Sequence, residues 1–169
     1  MRIMIGVISD THDDLEAIRS ALEVFSREEV ESIIHLGDLI SPFSLRELAK
    51  WQGRVDLLWG NNEGEALVAK LGVELGLKVH TSPTELTISN REILAFHGFG
   101  SASLTEKVAR MIADSGEYDL VLFGHTHSPI VERRKSLLVN PGEACGKLTK
   151  RRTIALVDLD RMEAEIVEL

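Results

Sequence analysis

The segment Phe123-Gly124-His125-Thr126-His127 places two histidines directly behind the short apolar run Leu120–Phe123. In an extended chain, side chains two residues apart point the same way, so both imidazoles are predicted to reach into one pocket from the end of a strand. Histidine is the commonest metal ligand in proteins, and the sequence contains only six histidines. The segment therefore predicts a metal site around which the fold is arranged.

The length and composition favour one globular domain spanning residues 1–169. A chain of this length can bury about two-thirds of its unfolded surface. Apolar residues make up 44% and charged residues 27%, which is typical of a soluble protein. No window approaches the roughly 18 consecutive apolar residues of a membrane span, so we expect no membrane insertion.

Charge and cysteine usage narrow the expected partners and compartment. The net charge of −8 argues against broad binding to nucleic acid or anionic membranes, although bound metal ions would create a local positive site. Cys145 is the only cysteine, which excludes an intramolecular disulfide and a thiolate metal cluster. The apolar N-terminus is too short for a signal peptide. These features favour a cytoplasmic location.

Hydrophobic periodicity predicts an α/β chain. Apolar runs predict strands at 3–8, 33–36 and 55–59, each followed by a helix that begins near Asp13 or Asp14, at Ser41-Pro42, or near Leu67. The second half predicts hairpins around 89–91, 133–135 and 158–161. Between the first two hairpins, Ser103-Leu104-Thr105-Glu106 matches a capping box. The helix that follows has a predicted buried face of Leu104, Val108, Met111 and Ile112, and ends at Gly116. Helix–strand alternation followed by hairpins indicates mixed sheets.

Polar residues follow the predicted strands at the point where each strand ends. Ligand sites in α/β proteins gather beyond the carboxyl ends of strands. Each motif alone has an ordinary explanation as a turn or a helix cap. Together they offer two carboxylates, four imidazoles and an amide oxygen, a set suited to two divalent ions such as Mn²⁺, Fe²⁺, Ni²⁺, Co²⁺ or Zn²⁺. The predicted ligands are Asp10, His12, Asp38, Asn61, His97, His125 and His127.

The ordered motifs Asp10-x-His12, Gly37-Asp38, Gly60-Asn61, His97-Gly98 and Gly124-His125-x-His127 resemble those of the calcineurin-like metallophosphoesterase superfamily. The small single-domain phosphodiesterases of bacteria and archaea match best, and the resemblance extends from residue 3 to about residue 142. It implies a four-layer α-β-β-α sandwich with two mixed β-sheets.

The resemblance also implies a cofactor and a reaction. Asp10, His12 and His127 would hold one ion, Asn61, His97 and His125 the other, and Asp38 would bridge both. We expect Mn²⁺, with Ni²⁺, Fe²⁺, Co²⁺ or Zn²⁺ as alternatives. The implied reaction is hydrolysis of a small phosphodiester by a hydroxide that bridges the two metals.

The sequence departs from the family pattern at Asn62-Glu63, where many members have His-Asp. In those members the histidine contacts phosphate or protonates the leaving oxygen. Asn62 is predicted to contact phosphate, but an amide cannot act as the acid. We therefore expect a preference for substrates with good leaving groups.

Several alternatives stay open at this level. The same fold serves as a protein-binding scaffold in a retromer subunit, and a phosphomonoesterase would use the same metal site. A homo-oligomer is compatible with the sequence, whereas an extended nucleic-acid groove is not expected. His35 is predicted to be an ordinary packed histidine and His80 a surface residue. Residues 143–147 carry no readable role, and the basic cluster Lys147, Lys150, Arg151 and Arg152 is predicted to be a solvated loop.

Overall fold

The computed structural model describes residues 2–169 and contains four helices among eleven strands within that range. In chain order, the elements are β1 (Met4–Ile8), α1 (Leu15–Arg27), β2 (Ser32–His35), α2 (Pro42–Leu48), β3 (Arg54–Leu58), α3 (Leu67–Glu74), β4 (Lys78–His80), β5 (Thr84–Ile88), β6 (Arg91–Phe96), α4 (Ala102–Ser115), β7 (Leu120–Phe123), β8 (Pro129–Arg133), β9 (Leu137–Pro141), β10 (Thr153–Asp158) and β11 (Glu163–Glu168).

The strands form two mixed sheets. The six-stranded sheet has the order β11-β10-β1-β2-β3-β4. Strands β1 to β4 run parallel to one another, β10 is antiparallel to β1, and β11 is antiparallel to β10. The five-stranded sheet has the order β5-β6-β7-β9-β8, with β6, β7 and β9 parallel. The predicted mixed sheets are therefore confirmed.

Three apolar clusters hold the layers together. Ile33 faces α1 and α2, whereas its neighbour Ile34 faces the second sheet, as the strand period of two requires. Leu122 likewise lies between the sheets, and Phe123 packs under α4. The order of layers is thus helices, six-stranded sheet, five-stranded sheet, helix, which confirms the predicted α-β-β-α sandwich.

Local signals explain most element boundaries. The side chain of Asp14 accepts a hydrogen bond from the Ala17 amide at 2.9 Å and caps α1. Pro42 occupies the first turn of α2. Ser89 and Asn90 both have positive φ, as a two-residue hairpin turn demands. Gly116 ends α4 in the left-handed conformation, as predicted.

The predicted start of α4 and most of its predicted buried face are wrong, although Ile112 does pack against the apolar cluster beneath the helix. The helix is capped by Ser101, whose Oγ accepts from the Leu104 amide, because Thr105 bonds back to Phe99 instead of lying at the helix start. The fully buried residues are Thr105, Ala109 and Ala113, one position away from the predicted face. Small side chains let the helix lie close to the sheet, which leaves Leu104 and Met111 exposed.

Of the two histidines outside the site, His35 matches its prediction, whereas His80 is less exposed than predicted. The short strand β4 was not predicted, and its His80 is half-buried with Nε2 2.7 Å from Asp56 Oδ1. His35 is fully buried, as expected, and its Nε2 lies 3.0 Å from Thr11 Oγ1. Its Nδ1 accepts from the Gly37 amide at 3.1 Å, so the ring is neutral.

Candidate metal centre

The predicted ligands meet at one edge of the sandwich because they follow the carboxyl ends of parallel strands. Asp10 follows β1, Asp38 follows β2 and Asn61 follows β3, in the same sheet. His97 and the pair His125 and His127 follow β6 and β7 of the other sheet. The structure brings all of these side chains together.

Asp10, His12 and His127 form the first group. One ligand atom from each lies within 4.8 Å of the others. Asp10 Oδ1 is 3.4 Å from His127 Nε2 and 3.8 Å from His12 Nε2. The two rings stack with their centroids 5.4 Å apart.

The second group surrounds His97. Its Nε2 lies 3.4 Å from Asp38 Oδ1 and 2.7 Å from Asn61 Oδ1, and His125 Nδ1 lies 2.9 Å from the same amide oxygen. The other oxygen of Asp38 is 3.6 Å from His12 Nε2, so this carboxylate lies between the two groups. One ligand atom from each of Asp10, Asp38 and His97 also lies within 4.8 Å of the others. Asp10 is therefore within reach of both groups.

Two buried atoms of the site lack hydrogen-bond partners. Within residues 2–169, Asp10 Oδ1 and His12 Nε2 are both inaccessible to solvent and unpaired. Leaving such a group unsatisfied is costly, and native proteins rarely do so without a reason. Both atoms face the other ligands of the first group, so a cation held there would satisfy them. The residues present therefore fit a divalent metal ion.

The outer ring nitrogens of two histidines support the same conclusion. His97 Nδ1 lies 2.9 Å from the Leu36 carbonyl oxygen, and His125 Nε2 lies 2.9 Å from the Gly100 carbonyl oxygen. Both rings also turn their inner nitrogens towards Asn61 Oδ1. Metal-binding histidines usually donate their outer N–H to a carbonyl or carboxylate, which leaves the inner nitrogen free to bind the ion.

The backbone at the site is left-handed at five of the predicted ligands, which are Asp10, His12, Asp38, His125 and His127. Such conformations are uncommon outside glycine and concentrate at functional sites. The assumption of an extended chain at 125–127 is therefore wrong. The strand ends at Phe123, and the Thr126 amide donates to the Gly124 carbonyl in a tight turn. As a result His125 faces Asn61 whereas His127 faces Asp10, and the pair divides between the two groups.

Two glycines let the loops approach closely enough to form the site. A Cβ at Gly60 would lie 2.2 Å from Asp38 Oδ1, and one at Gly124 would lie 2.2 Å from Ser9 Oγ. Neither contact is sterically possible. These positions therefore require glycine for the four strand ends, of β1, β2, β3 and β7, to converge.

Asn62 lies beside Asp38. Its Nδ2 donates to Asp38 Oδ2 at 2.7 Å, and its backbone N–H donates to Oδ1 at 2.8 Å. The amide thus orients the carboxylate that lies between the two groups, a contact not predicted from the sequence. The predicted contact between Asn62 and phosphate stays a prediction.

Glu63 organises the same loops, a role the sequence did not indicate. Its carboxylate accepts from the backbone amides of Leu39, Ile40 and Gly60 at 3.1, 2.9 and 3.2 Å. Ile40 is held at a φ of 93°, which for a β-branched residue is a genuine outlier and costs about 1–3 kcal/mol. Glu63 therefore fixes both the loop that carries Asp38 and a strained residue next to it.

Glu143 is the main residue that sequence reasoning missed. It is fully buried, and its Oε2 lies 2.7 Å from His127 Nδ1. Its carboxylate also accepts from Leu148 N and from the backbone and hydroxyl of Thr149. The only available signal was an acidic residue directly after Asn140-Pro141-Gly142. Asn140 shapes the same region, because its amide donates to the Gly124 carbonyl and to Thr126 Oγ1.

The carboxylates of the site are held in the ionised form. Burial alone would raise the pKa of Asp38, but hydrogen bonding to His97, the charge of that ring and the two bonds from Asn62 hold it well below its usual range. The pKa of Asp10 is lowered in the same way, since its contacts with His12 and His97 outweigh burial. For Glu143, the bonds from Thr149 and His127 outweigh burial and lower the pKa to about 2. These carboxylates are therefore available as anionic ligands for cations at neutral pH.

Comparison with known proteins identifies the family. The sequence pattern of the calcineurin-like phosphoesterase superfamily domain matches residues 2–162. The chain belongs to this superfamily. A phosphodiesterase of Methanocaldococcus jannaschii is 36% identical over 160 residues, which span 94% of this chain and 95% of that protein. The predicted family resemblance is confirmed.

Solved structures of the superfamily agree. An archaeal phosphodiesterase has a TM-score of 0.88 at 33% identity, covering 99% of this chain and 100% of that one. Vps29 of Chaetomium thermophilum has a TM-score of 0.70 at 18% identity, covering 99% of this chain and 96% of that one. The second likeness shows a shared fold alone.

One member of the basic cluster contacts the candidate metal centre. Lys147 Nζ donates to the His12 carbonyl at 3.0 Å. Arg151 instead pairs with Glu168, and Arg152 pairs with Asp14. The prediction of a solvated loop thus holds for Lys147, Lys150 and Arg151, which are exposed, whereas Arg152 is partly buried. Within residues 2–169 no helix has the length and apolar character needed to cross a membrane.

Proposed function

We propose that this protein is a metal-dependent phosphodiesterase that acts on small phosphodiesters. The observation that carries the proposal is the pair of buried, unpaired atoms Asp10 Oδ1 and His12 Nε2, which face each other across the first ligand group. The phosphodiesterase relative at 36% identity over nearly the whole chain supports the same substrate class.

Two divalent ions are proposed, one for each ligand group. Asp10, His12 and His127 would hold the first, Asn61, His97 and His125 the second, and Asp38 would contact both through its two oxygens. Mn²⁺ is the proposed ion, since this mixture of carboxylate, amide and imidazole donors suits a metal of intermediate hardness. When bound, such ions lower the pKa of water to about 7 and stabilise negative charge on phosphoryl oxygens.

The protein itself supplies orientation and charge balance. Asn62 and Glu63 fix the loop and the carboxylate of Asp38, and Glu143 fixes the ring of His127. Asp10 and Asp38 would offset two of the four positive charges of two divalent ions, and the remaining positive charge would attract a singly charged diester. A cytoplasmic compartment and a single domain spanning residues 1–169 complete the proposal.

Asn62 determines which diesters react fastest. A side-chain amide cannot protonate a departing alkoxide, and general acid catalysis is worth about 10²–10⁴-fold. The enzyme is therefore proposed to favour esters whose leaving group is stable as an anion, such as an aryl oxide.

Hydrolysis of bis(p-nitrophenyl) phosphate tests the proposal directly. The metal-free protein is assayed with each divalent ion in turn, beside Asp38→Ala, His97→Ala and the control Asp114→Ala, whose side chain is exposed and pairs with Arg134. Turnover should require metal, persist in Asp114→Ala and fall by at least about 10³-fold in the two site variants. Full activity in Asp38→Ala, or no activity of the native protein with any ion, would overturn the proposal. In the second case the Vps29-like scaffold would be favoured.

A monoester comparison fixes the substrate class. p-Nitrophenyl phosphate carries an additional negative charge and has only one ester group. We expect a lower kcat/KM for this monoester than for the diester under the same conditions. A monoester that reacts faster would identify a phosphomonoesterase.

A further inference from the structure

A cavity of about 480 Å³ adjoins the first ligand group. Two of the proposed metal ligands, His12 and His127, line it together with Asn62. Ile40 and Leu148 line it from two different loops, and Lys147 also contributes to its wall. A molecule bound at the metal centre would therefore extend into a space with apolar walls.

Ile40 is held at this cavity despite its strained backbone. Its amide donates to Glu63 Oε2 at 2.9 Å, and the next amide, of Ser41, donates to Asp13 Oδ1 at 3.1 Å. Two carboxylates on neighbouring loops thus maintain a β-branched residue at a φ of 93°. Strain of this kind persists only where the surroundings impose it, and it concentrates at binding sites.

Leu148 is exposed by 71%, although the loop that carries it is firmly attached to the site. Its backbone amide donates to Glu143 Oε1 at 2.9 Å, and the neighbouring Lys147 donates to the His12 carbonyl. An exposed leucine on its own is ordinary. Leu148 differs because Glu143, which holds its backbone amide, also orients the ring of His127. Its position relative to the metal ligands is therefore fixed.

A second cavity of about 310 Å³ lies on the other side, beside His97 and Asn61, and is lined by Trp59, Thr81 and Ser82. A phosphodiester has two ester groups, whereas a monoester has one. Two cavities that flank the same ligand set provide separate space for both groups. The arrangement matches the number of substituents on a diester.

We propose that the cavity between Ile40 and Leu148 binds an apolar aryl ester group of the substrate. The inference rests on the proposed function and narrows it to phosphodiesters that carry at least one flat, apolar ester group. Ile40 and Leu148 then act as specificity residues, which contact the substrate but take no part in the chemical step. The buried apolar surface favours aryl over methyl esters.

Equilibrium binding tests this inference separately from the rate of hydrolysis. Diphenyl phosphate and dimethyl phosphate carry the same charge and differ only in their ester groups, and their affinities for the Mn²⁺-loaded protein are measured by calorimetry at low temperature, under conditions in which product analysis shows no hydrolysis during the titration. We expect diphenyl phosphate to bind at least about tenfold more tightly. The preference should fall to about threefold or less in Leu148→Ser and in Ile40→Gly. Met111→Ser, which removes a similarly exposed apolar side chain from α4, should keep it.

Both variants are expected to fold normally, so a change in preference can be assigned to the cavity. Leu148→Ser changes an exposed side chain, and Ile40→Gly relieves the positive φ, so neither should lower the unfolding midpoint Tm by more than about 3 °C. An unchanged preference for diphenyl phosphate in folded Leu148→Ser and Ile40→Gly would overturn the inference even if diesters are hydrolysed. A preference that disappears in these variants would support it even if the native protein hydrolyses nothing, in which case the proposed function alone fails.

Discussion

The buried carboxylate of Glu143 lies 2.7 Å from Nδ1 of His127, whose Nε2 lies 3.4 Å from Asp10 Oδ1. The ring is therefore held between two carboxylates, one in the ligand cluster and one behind it. An N–H···carboxylate bond fixes the tautomer that leaves Nε2 free for a metal. The same carboxylate accepts hydrogen bonds from the 148–149 loop, so it connects the ligand cluster to the wall of the cavity.

Replacement of Glu143 by glutamine should weaken metal binding. In Glu143→Gln the amide oxygen can still accept from Thr149, but an N–H₂ group then faces His127 and disfavours the required tautomer. Loss of such a partner typically costs 10–100-fold in metal affinity. We expect a decrease in Mn²⁺ affinity of this size by isothermal titration calorimetry, with the circular dichroism spectrum unchanged.

Glu168→Gln provides the matched control for this experiment. Glu168 is exposed and pairs with Arg151, far along the chain from the ligands. Its replacement should leave the Mn²⁺ affinity as it is. Equal affinities of Glu143→Gln and the native protein would show that Glu143 serves the loop and not the metal.

Removal of one histidine from each ligand group should remove one ion at a time. His12 belongs to the first group and His125 contacts Asn61 in the second. The native protein is expected to bind two Mn²⁺ ions per chain, and His12→Ala and His125→Ala about one each under the same conditions. Calorimetric stoichiometry and metal analysis after gel filtration measure this. A single ion in the native protein, or two retained in both variants, would refute the division of the ligands.

Introduction of a histidine at position 62 should restore an acid for the leaving group. We expect Asn62→His to gain at least about tenfold in kcat on a diester with an alkyl leaving group and to gain little on bis(p-nitrophenyl) phosphate, whose leaving group needs no proton. The measurement is the ratio of kcat on the alkyl diester to kcat on bis(p-nitrophenyl) phosphate, compared between Asn62→His and the native protein. Asn62→Gln keeps the amide and serves as the control. The absence of any gain on the alkyl ester would count against the missing-acid explanation.

The buried His35 should make the metal-free protein less stable at low pH. Burial lowers the pKa of His35 to about 4, from an ordinary value near 6.5 in the unfolded chain. Since the unfolded state binds this proton first, the free energy of unfolding should fall as the pH drops from about 6.5 to about 4. One pH unit corresponds to 1.36 kcal/mol, so the total loss is at most about 3 kcal/mol.

The test compares urea unfolding of the native protein and His35→Asn between pH 7.5 and pH 4.5 in the presence of a chelator. Asparagine can still accept from the Gly37 amide, which His35 Nδ1 does in the structure. The difference in unfolding free energy between the two proteins should shrink as the pH falls. A difference that is independent of pH would show that His35 does not titrate as expected.

Much of the fold was predictable because its signals are local. Apolar runs gave the central strands, and the turns at Ser89-Asn90 and Gly116 require residues that tolerate positive φ. The face of α4 was not predictable from periodicity, because the sheet accepts Ala109 and Ala113 at the closest approach and leaves Met111 outside. The buried face of α4 is therefore set by how closely the helix packs against the sheet, and hydropathy alone does not predict it.

The predicted ligands were found for the same reason, since each follows an apolar strand. The residues that orient the ligands were not predicted, because each acts on a loop that is distant from it in sequence. Glu143 is 16 positions from His127, and Glu63 is 23 positions from Ile40. The division of His125 and His127 between the two groups was implied by the family resemblance, but the left-handed turn that produces it was not predicted, because their spacing implied an extended chain.

The left-handed backbone at Asp10, His12, Asp38, His125 and His127 has a consequence for protein engineering. Glycine adopts this conformation without strain, so glycine at any of these positions would relieve part of the strain in the metal-free fold. Selection for heat resistance in the absence of divalent ions would then favour variants that have lost their ligands. A laboratory evolution experiment on this scaffold should therefore keep divalent metal in the medium. Without metal, the selection would enrich thermally more stable variants that no longer bind the ion.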